Sequence, residues 1–215
     1  MPRTQPFDEY SSDYEAWFDR HPYVYRSEVA ALRGMLPRAG RGVEIGVGSG
    51  RFAAVLGISE GVEPSEPMRR LAARAGVRAV EGVAEALPYR DESFDFALMV
   101  TTICFVDDVY ASLDEVRRIL RPGGTVVIGL VDRDSPLGRT YERLKDENRF
   151  YRVATFYSTD EVKRFLQTAG FENVETVQTV FGILDEIDHV QAWRTGYGEG
   201  GFVVLRATRP RGEAL

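Results

Sequence analysis

The first forty residues of the chain have a helical texture. Tyr10, Tyr14, Trp17 and Phe18 recur at spacings of three or four and make one aromatic face, which predicts helix over residues 8–37 in two pieces, broken near His21-Pro22. Ser27 is a candidate N-cap for the second piece, which carries Val29, Leu32 and Leu36 and stops at Pro37. The texture then changes to short apolar runs at 42–45, 61–63, 77–81, 94–100 and 125–131, with helical stretches at 50–57, 65–75 and 110–120 between them. Strands alternating with helices predict a parallel sheet covered on both faces. After Asp132 come a polar helical stretch (136–147) and an amphipathic helix (158–169), with Ser158 or Thr159 as N-cap and Gly170 as stop. Two last strands, 174–181 and 201–208, are expected to pair at the sheet edge, and a loose tail is expected from Arg209 to Leu215.

Composition narrows the classes. A chain of 215 residues, 44% hydrophobic and 28% charged, suits one α/β domain with a sizeable core. Its 27 Lys+Arg against 33 Asp+Glu leave a net charge of -6, which offers no general attraction to nucleic acid or to anionic membranes. Cys104 is the single cysteine, so neither an intrachain disulfide nor a cysteine-based metal cluster is expected. There is no signal-peptide core and no apolar run long enough to span a bilayer, so a cytoplasmic protein is expected.

The chemistry concentrates at the first strand. The segment Glu44-Ile45-Gly46-Val47-Gly48-Ser49-Gly50 reads as a strand entering a tight turn and then a helix, where glycines let the backbone approach a ligand and helix amides point at it. A dinucleotide fingerprint, G-x-G-x-x-G, would need its third glycine at 51, which is Arg51. Glu63 ends the next short strand, where a carboxylate can accept from both ribose hydroxyls, and Pro64 and Ser65 open the following helix. Met68 is placed either to cover the nucleoside or simply to pack in the core.

Several ordered motifs then carry a family resemblance. Gly42–Gly50 resembles motif I of the class I S-adenosylmethionine-dependent methyltransferases and Gly61–Met68 resembles their motif II. Residues 80–89 and 91–95 resemble the third motif and the opening of the fourth strand, Leu120–Gly124 the turn before the fifth, and 158–171 the late helix and the turn into the sixth. The likeness spans about residues 40–180 and lies nearest the small-molecule branch that includes the ubiquinone and menaquinone methyltransferases. It implies S-adenosyl-L-methionine as cofactor, with S-adenosyl-L-homocysteine as product. It also implies an α/β, Rossmann-like, doubly wound seven-stranded sheet in the order 3-2-1-4-5-7-6, the last strand antiparallel. One domain is expected over 1–215, with a helical lid at 8–37 and the core at 40–210.

Carried over by residue, the resemblance has Glu44 orient the methionine amino group and Gly46, Gly48 and Gly50 admit the methionyl and ribose parts. Glu63 would bind the ribose hydroxyls, with Pro64 and Met68 beside it, and Ala84 and Glu85 would lie along the adenine. Thr101 would flank the reactive methyl. Where many relatives have an aspartate for the adenine amino group this chain has Val83, so either Glu85 or the backbone takes that role.

No catalytic residue is assigned, because transfer from a sulfonium needs alignment first and a base only if the acceptor must lose a proton. His21, His189, Asp107, Asp132 and Cys104 each have a structural reading at least as good as a catalytic one. Tyr10, Tyr14, Trp17 and Tyr25 are candidates for the substrate and lid face, or for plain core packing. Residues 195–201 are either a loop near the acceptor or a glycine-rich hairpin turn. A small-molecule acceptor is expected, without nucleic acid, metal or membrane, and the oligomeric state stays open. Two rivals accompany this reading: a non-catalytic S-adenosylmethionine-binding sensor, and an NAD-dependent oxidoreductase, which Arg51 and the later motifs disfavour.

Overall fold

Proline explains the first interruption. Its ring and missing amide suit a first helical turn and not an interior, so α2 (Ser11–Arg20) ends at His21 and α3 (Pro22–Met35) starts directly after it. The computed structural model describes residues 3–212. A short α1 (Gln5–Glu9) precedes Tyr10, so the N-terminal region holds three helices where two were predicted. Ser27 is not a cap: it lies inside α3, where its hydroxyl donates to the Tyr23 carbonyl at 2.7 Å and accepts from the Gln191 amide at 2.8 Å. A buried serine with both bonds made costs little there.

The sheet comprises β1 (Gly42–Ile45), β2 (Glu60–Val62), β3 (Arg78–Val80), β4 (Phe94–Val100), β5 (Leu120–Val131), β6 (Glu172–Thr179), β7 (Arg194–Thr195) and β8 (Phe202–Thr208). Its order is β3-β2-β1-β4-β5-β8-β6-β7, with β1 to β5 parallel and β8 antiparallel to both β5 and β6. That is the predicted topology plus one strand. The addition, β7, pairs only two residues with β6, too few to leave a period-two signal.

Alternation along β4 feeds two apolar layers. Ala97 and Met99 face a layer built with α6 (Val109–Ile119) and α8 (Thr159–Thr168), through Leu113, Val116 and Leu166. Phe96, Leu98 and Val100 face the other layer, where α3 supplies Leu32 and α4 (Arg51–Leu56) supplies Phe52 and Ala53. Helices α5 (Glu66–Arg74) and α7 (Pro136–Arg143) complete the helical set. Of the two candidate caps, Ser158 is the one that caps α8, in a full capping box with Glu161.

Two local expectations change. Arg209 is tied down: its amide donates to Gly124 at 2.8 Å and its guanidinium pairs with Glu92 at 3.0 Å and bonds to the Leu120 carbonyl. The expected loose tail therefore does not begin at 209, and 213–215 lie outside the described residues. Residues 196–201 link β7 to β8 at the sheet edge, where the Gln178 side-chain oxygen accepts from the amides of Glu199 (2.9 Å) and Gly200 (2.8 Å). Neither reading for this stretch holds: β6 lies between β7 and β8, so the segment crosses over it and is not a hairpin turn, and none of its residues lines the cavity at the glycine turn. No helix among the described residues is long and apolar enough to cross a membrane.

Candidate functional site

The carboxyl ends of β1, β2 and β4 converge on the turn after β1. The Gly46 and Val47 amides donate to the Val62 carbonyl, at 2.8 and 3.0 Å, which seats this turn across the end of β2. Gly46 has φ of 68°, and a Cβ there would lie 2.4 Å from the Thr102 methyl, so the turn can close against β4 only without a side chain. Gly48 has φ of 53°, but a Cβ there would clash with nothing, touching only Met68 Cε and the Tyr14 hydroxyl, each at 3.9 Å.

Two carboxylates meet this turn. Glu63, buried at the end of β2, accepts from the Gly48 amide through one oxygen and from the Ser65 amide through the other, both at 2.9 Å. Burial pushes its carboxyl upward, while the two amides and Arg69 oppose that shift. Glu44 is buried on β1 with one carboxylate oxygen lacking any hydrogen bond. Its carboxyl is raised well above the usual range by burial, opposed by the Ala53 amide. Two acidic groups held apart from water around a bare-backbone turn suit a ligand with hydroxyls and an ammonium group.

A cavity of about 520 Å³ extends from this turn, within the ordinary range for small-molecule sites. Gly46, Gly48, Glu63, Pro64, Met68, Ala84, Glu85 and Thr101 all line it, and Glu44 and Gly50 do not. Of the four candidate aromatics, Tyr14 and Trp17 line the cavity and Tyr10 and Tyr25 do not. Tyr10 lies under the Arg149 guanidinium, 4.1 Å from its ring centre, and Tyr25 donates to the Arg51 carbonyl at 2.8 Å. Tyr14 packs edge-on against Phe7 and Phe18, and burial together with Glu44, Glu15, Glu63 and Glu28 pushes its phenol strongly up.

At the mouth of β4, Thr101 takes φ of 49°, a left-handed conformation that β-branched residues rarely adopt. Its amide donates to Gly129 at 2.8 Å, which helps hold the strain at the cavity wall. Cys104 follows, its thiol pushed up to about 12 by burial, so it is no ready nucleophile. One Glu85 oxygen accepts from the amides of Asp107 (2.7 Å) and Asp108 (3.2 Å) and is committed to holding that loop.

The remaining sequence candidates resolve into structure. Asp132 accepts from the Thr159 hydroxyl at 2.8 Å and tethers the start of α8; it does not line the cavity. Asp107 lines the cavity and pairs with Arg3 at 3.8 Å. His21 pairs with Asp185 at 3.7 Å and packs on Trp17, while His189 sits exposed beside Asp188 at 2.7 Å. Among the described residues no cluster of histidine, cysteine or carboxylate side chains could hold a metal ion.

The structure adds residues that sequence reading missed. Glu28 on α3 is buried at 7% exposure and lines the cavity, as do Tyr141 of α7 and Tyr151 of the turn that follows. A signal for Glu28 was present, since it occupies one position of the buried stripe Val24, Ala31, Leu32 and Met35. A carboxylate on the apolar face of an amphipathic helix is the irregularity that marks it. Tyr141 left no such mark because tertiary packing alone sets which face of α7 meets the cavity, and Tyr151 lies in a single turn too short to carry a periodicity.

Comparison with known proteins agrees with this geometry. A family model described as a methyltransferase domain matches residues 43–128. An uncharacterised protein of Methanocaldococcus jannaschii is 42% identical over 203 residues, covering 94% of this chain and 98% of its own. A crystal structure from Thermotoga maritima, described as a S-adenosylmethionine-dependent methyltransferase and possible histamine N-methyltransferase, shares 51% identity at a TM-score of 0.93, over 95% of this chain and 98% of that one. A demethylmenaquinone methyltransferase of Roseiflexus castenholzii is 42% identical over 100 residues, 42% of each chain.

Proposed function

Since the chain belongs to the class I S-adenosylmethionine-dependent methyltransferases, we propose that it methylates a small molecule enclosed in the cavity between the glycine turn and the N-terminal helices. The cofactor, when bound, supplies a methyl group already activated on a sulfonium. The chain's own residues must then bind, align and exclude water.

Glu63 accepts from the ribose hydroxyls with the lone pairs that Gly48 and Ser65 leave free. The unpartnered oxygen of Glu44 receives the methionine amino group, directly or through water. Gly46, Gly48 and Gly50 keep the turn free of side chains, and Gly48 gives the closest backbone approach to the ligand. Pro64 and Met68 cover the nucleoside, and Ala84 and Glu85 run along the adenine. With one Glu85 oxygen held by two loop amides and an apolar Val83 beside it, backbone groups read the adenine edge. Thr101 flanks the methyl, and Tyr14 and Trp17 close the site from the lid side at 8–37, within a single domain.

The observation that carries this reading is the shared wall: the Glu63–Gly48 pair, the lid aromatics and the side chains of Tyr141 and Tyr151 line one cavity. Calorimetric titration with S-adenosylmethionine, S-adenosylhomocysteine and NAD tests it. Both sulfur ligands bind and NAD does not. Binding of NAD with neither sulfur ligand would defeat the assignment.

A further inference from the structure

Building on the cofactor placement above, we infer that Glu28, Tyr141 and Tyr151 form the acceptor subsite and that it takes an organic amine, cationic at neutral pH, with an apolar or aromatic body. Glu28 comes from α3 and not from the strand ends that carry Glu44 and Glu63, and the cofactor reading leaves it unused. It is buried and lines the cavity, yet it makes no hydrogen bond or ion pair among the described residues. A buried carboxyl without a partner is costly, and α3 would pack better with an apolar residue at this position.

The three arginines that line the same cavity, Arg3, Arg20 and Arg149, make no ion pair with it among the described residues. Arg149 is engaged by Asp13 at 3.1 Å, and Arg3 by the Val153 carbonyl and the Thr155 hydroxyl, each at 2.9 Å. Burial raises the Glu28 carboxyl to about 8, and a cation placed beside it would offset that shift by favouring the carboxylate. Around it the walls are aromatic. Tyr141 and Tyr151 stack with ring centres 4.3 Å apart, and Phe156 meets Tyr151 edge-on at 5.6 Å. Burial first, and the Glu28 carboxylate after it when ionised, push both tyrosine hydroxyls up. A carboxylate within an aromatic wall favours a cation over a neutral or anionic molecule of equal shape, through the ion pair and the ring faces together.

Titration of phenethylamine and tryptamine against their uncharged counterparts 2-phenylethanol and tryptophol tests the inference, on protein saturated with S-adenosylhomocysteine. The amines bind at least about tenfold more tightly than the alcohols, and Glu28→Gln removes that preference while keeping the shape of the side chain. Tyr141→Leu weakens amines and alcohols together, since it removes a ring and leaves the charge. Equal binding of amines and alcohols, no binding of either, an amine preference that survives in Glu28→Gln, or indifference to Tyr141→Leu overturns the inference. Failure of S-adenosylhomocysteine to bind the unaltered protein overturns the cofactor placement instead, so the two failures are told apart.

Discussion

The carboxylate of Glu63 accepts from the amide of Gly48 at 2.9 Å, which ties the tip of β2 to the glycine turn that follows β1. A second amide, Ser65, donates to the other oxygen at the same distance. The residue expected to receive the ribose is thus also the residue that shapes the turn.

Glu63→Ala accordingly loses ligand contacts and turn geometry together. S-adenosylhomocysteine affinity should fall about 100-fold or more, the scale of two lost charge-assisted bonds. Glu63→Gln should lose nearly as much, because its amide nitrogen would face an N–H donor at Gly48 or Ser65. Calorimetry on both variants checks this, and an unchanged affinity in either would remove the ribose assignment.

Gly46→Ala and Gly48→Ala should fail in different ways. Each puts a side chain at a left-handed φ, at roughly 1–2 kcal/mol, but only at Gly46 does the new Cβ meet Thr102. Gly46→Ala should therefore lower the melting temperature markedly. Gly48→Ala should melt closer to the unaltered protein yet bind S-adenosylhomocysteine poorly, since its methyl projects toward the ligand beside Met68 and Tyr14. Melting curves with and without that ligand separate the two.

Glu28 makes stability depend on pH. Its folded carboxyl is raised from 4.5 to about 8 by burial, so the folded state holds a proton that the unfolded state has released. The contribution is complete below the unfolded value and is lost as pH rises toward 8, at roughly 1.4 kcal/mol for each tenfold drop in proton activity. Urea denaturation should show Glu28→Gln gaining stability over the unaltered protein between pH 5 and pH 9. A constant difference across that range would place Glu28 in contact with water.

Arg51 links the lid to the glycine turn. It opens α4 and pairs with Glu15 at 2.8 Å and Asp19 at 3.2 Å on α2, with its guanidinium 5.0 Å from the centre of the Phe18 ring. Arg51→Ala should cost only about 1 kcal/mol of global stability, as partly exposed pairs do. Its larger effect should fall on α2, as faster amide exchange over residues 11–20 and faster release of S-adenosylhomocysteine. Unchanged exchange there would mean that apolar packing alone holds the lid.

Arg51 also shows how far a sequence reading goes. In the sequence it served as a negative, occupying the place of a third fingerprint glycine; the fold gives it a positive role in docking α2. The frame itself was local information. Alternating apolar runs, the Gly46–Gly50 turn, a cap at Ser158 or Thr159 and the helix stop at Gly170 each act within a few residues, so the elements and the cofactor turn could be read from the chain, while the strand order came from the family resemblance. Even there β7 escaped, since pairing that short leaves no pattern.

What the sequence could not determine is direction and company. The spacing of Tyr10, Tyr14 and Trp17 predicts one helical face, but the chain breaks at Tyr10 between α1 and α2, so Tyr14 and Trp17 ride on α2 into the cavity while Tyr10 lies under Arg149. Glu28 was visible as a polar residue in an apolar stripe, while its neighbours Tyr141 and Tyr151 arrive from a segment more than a hundred residues away in the chain. Burial and electrostatic partnership depend on such long-range approach, and no local periodicity encodes them. The sequence by itself determined the methyl donor and the fold that holds it; the tertiary structure decided which carboxylates and rings stand where an acceptor would meet it.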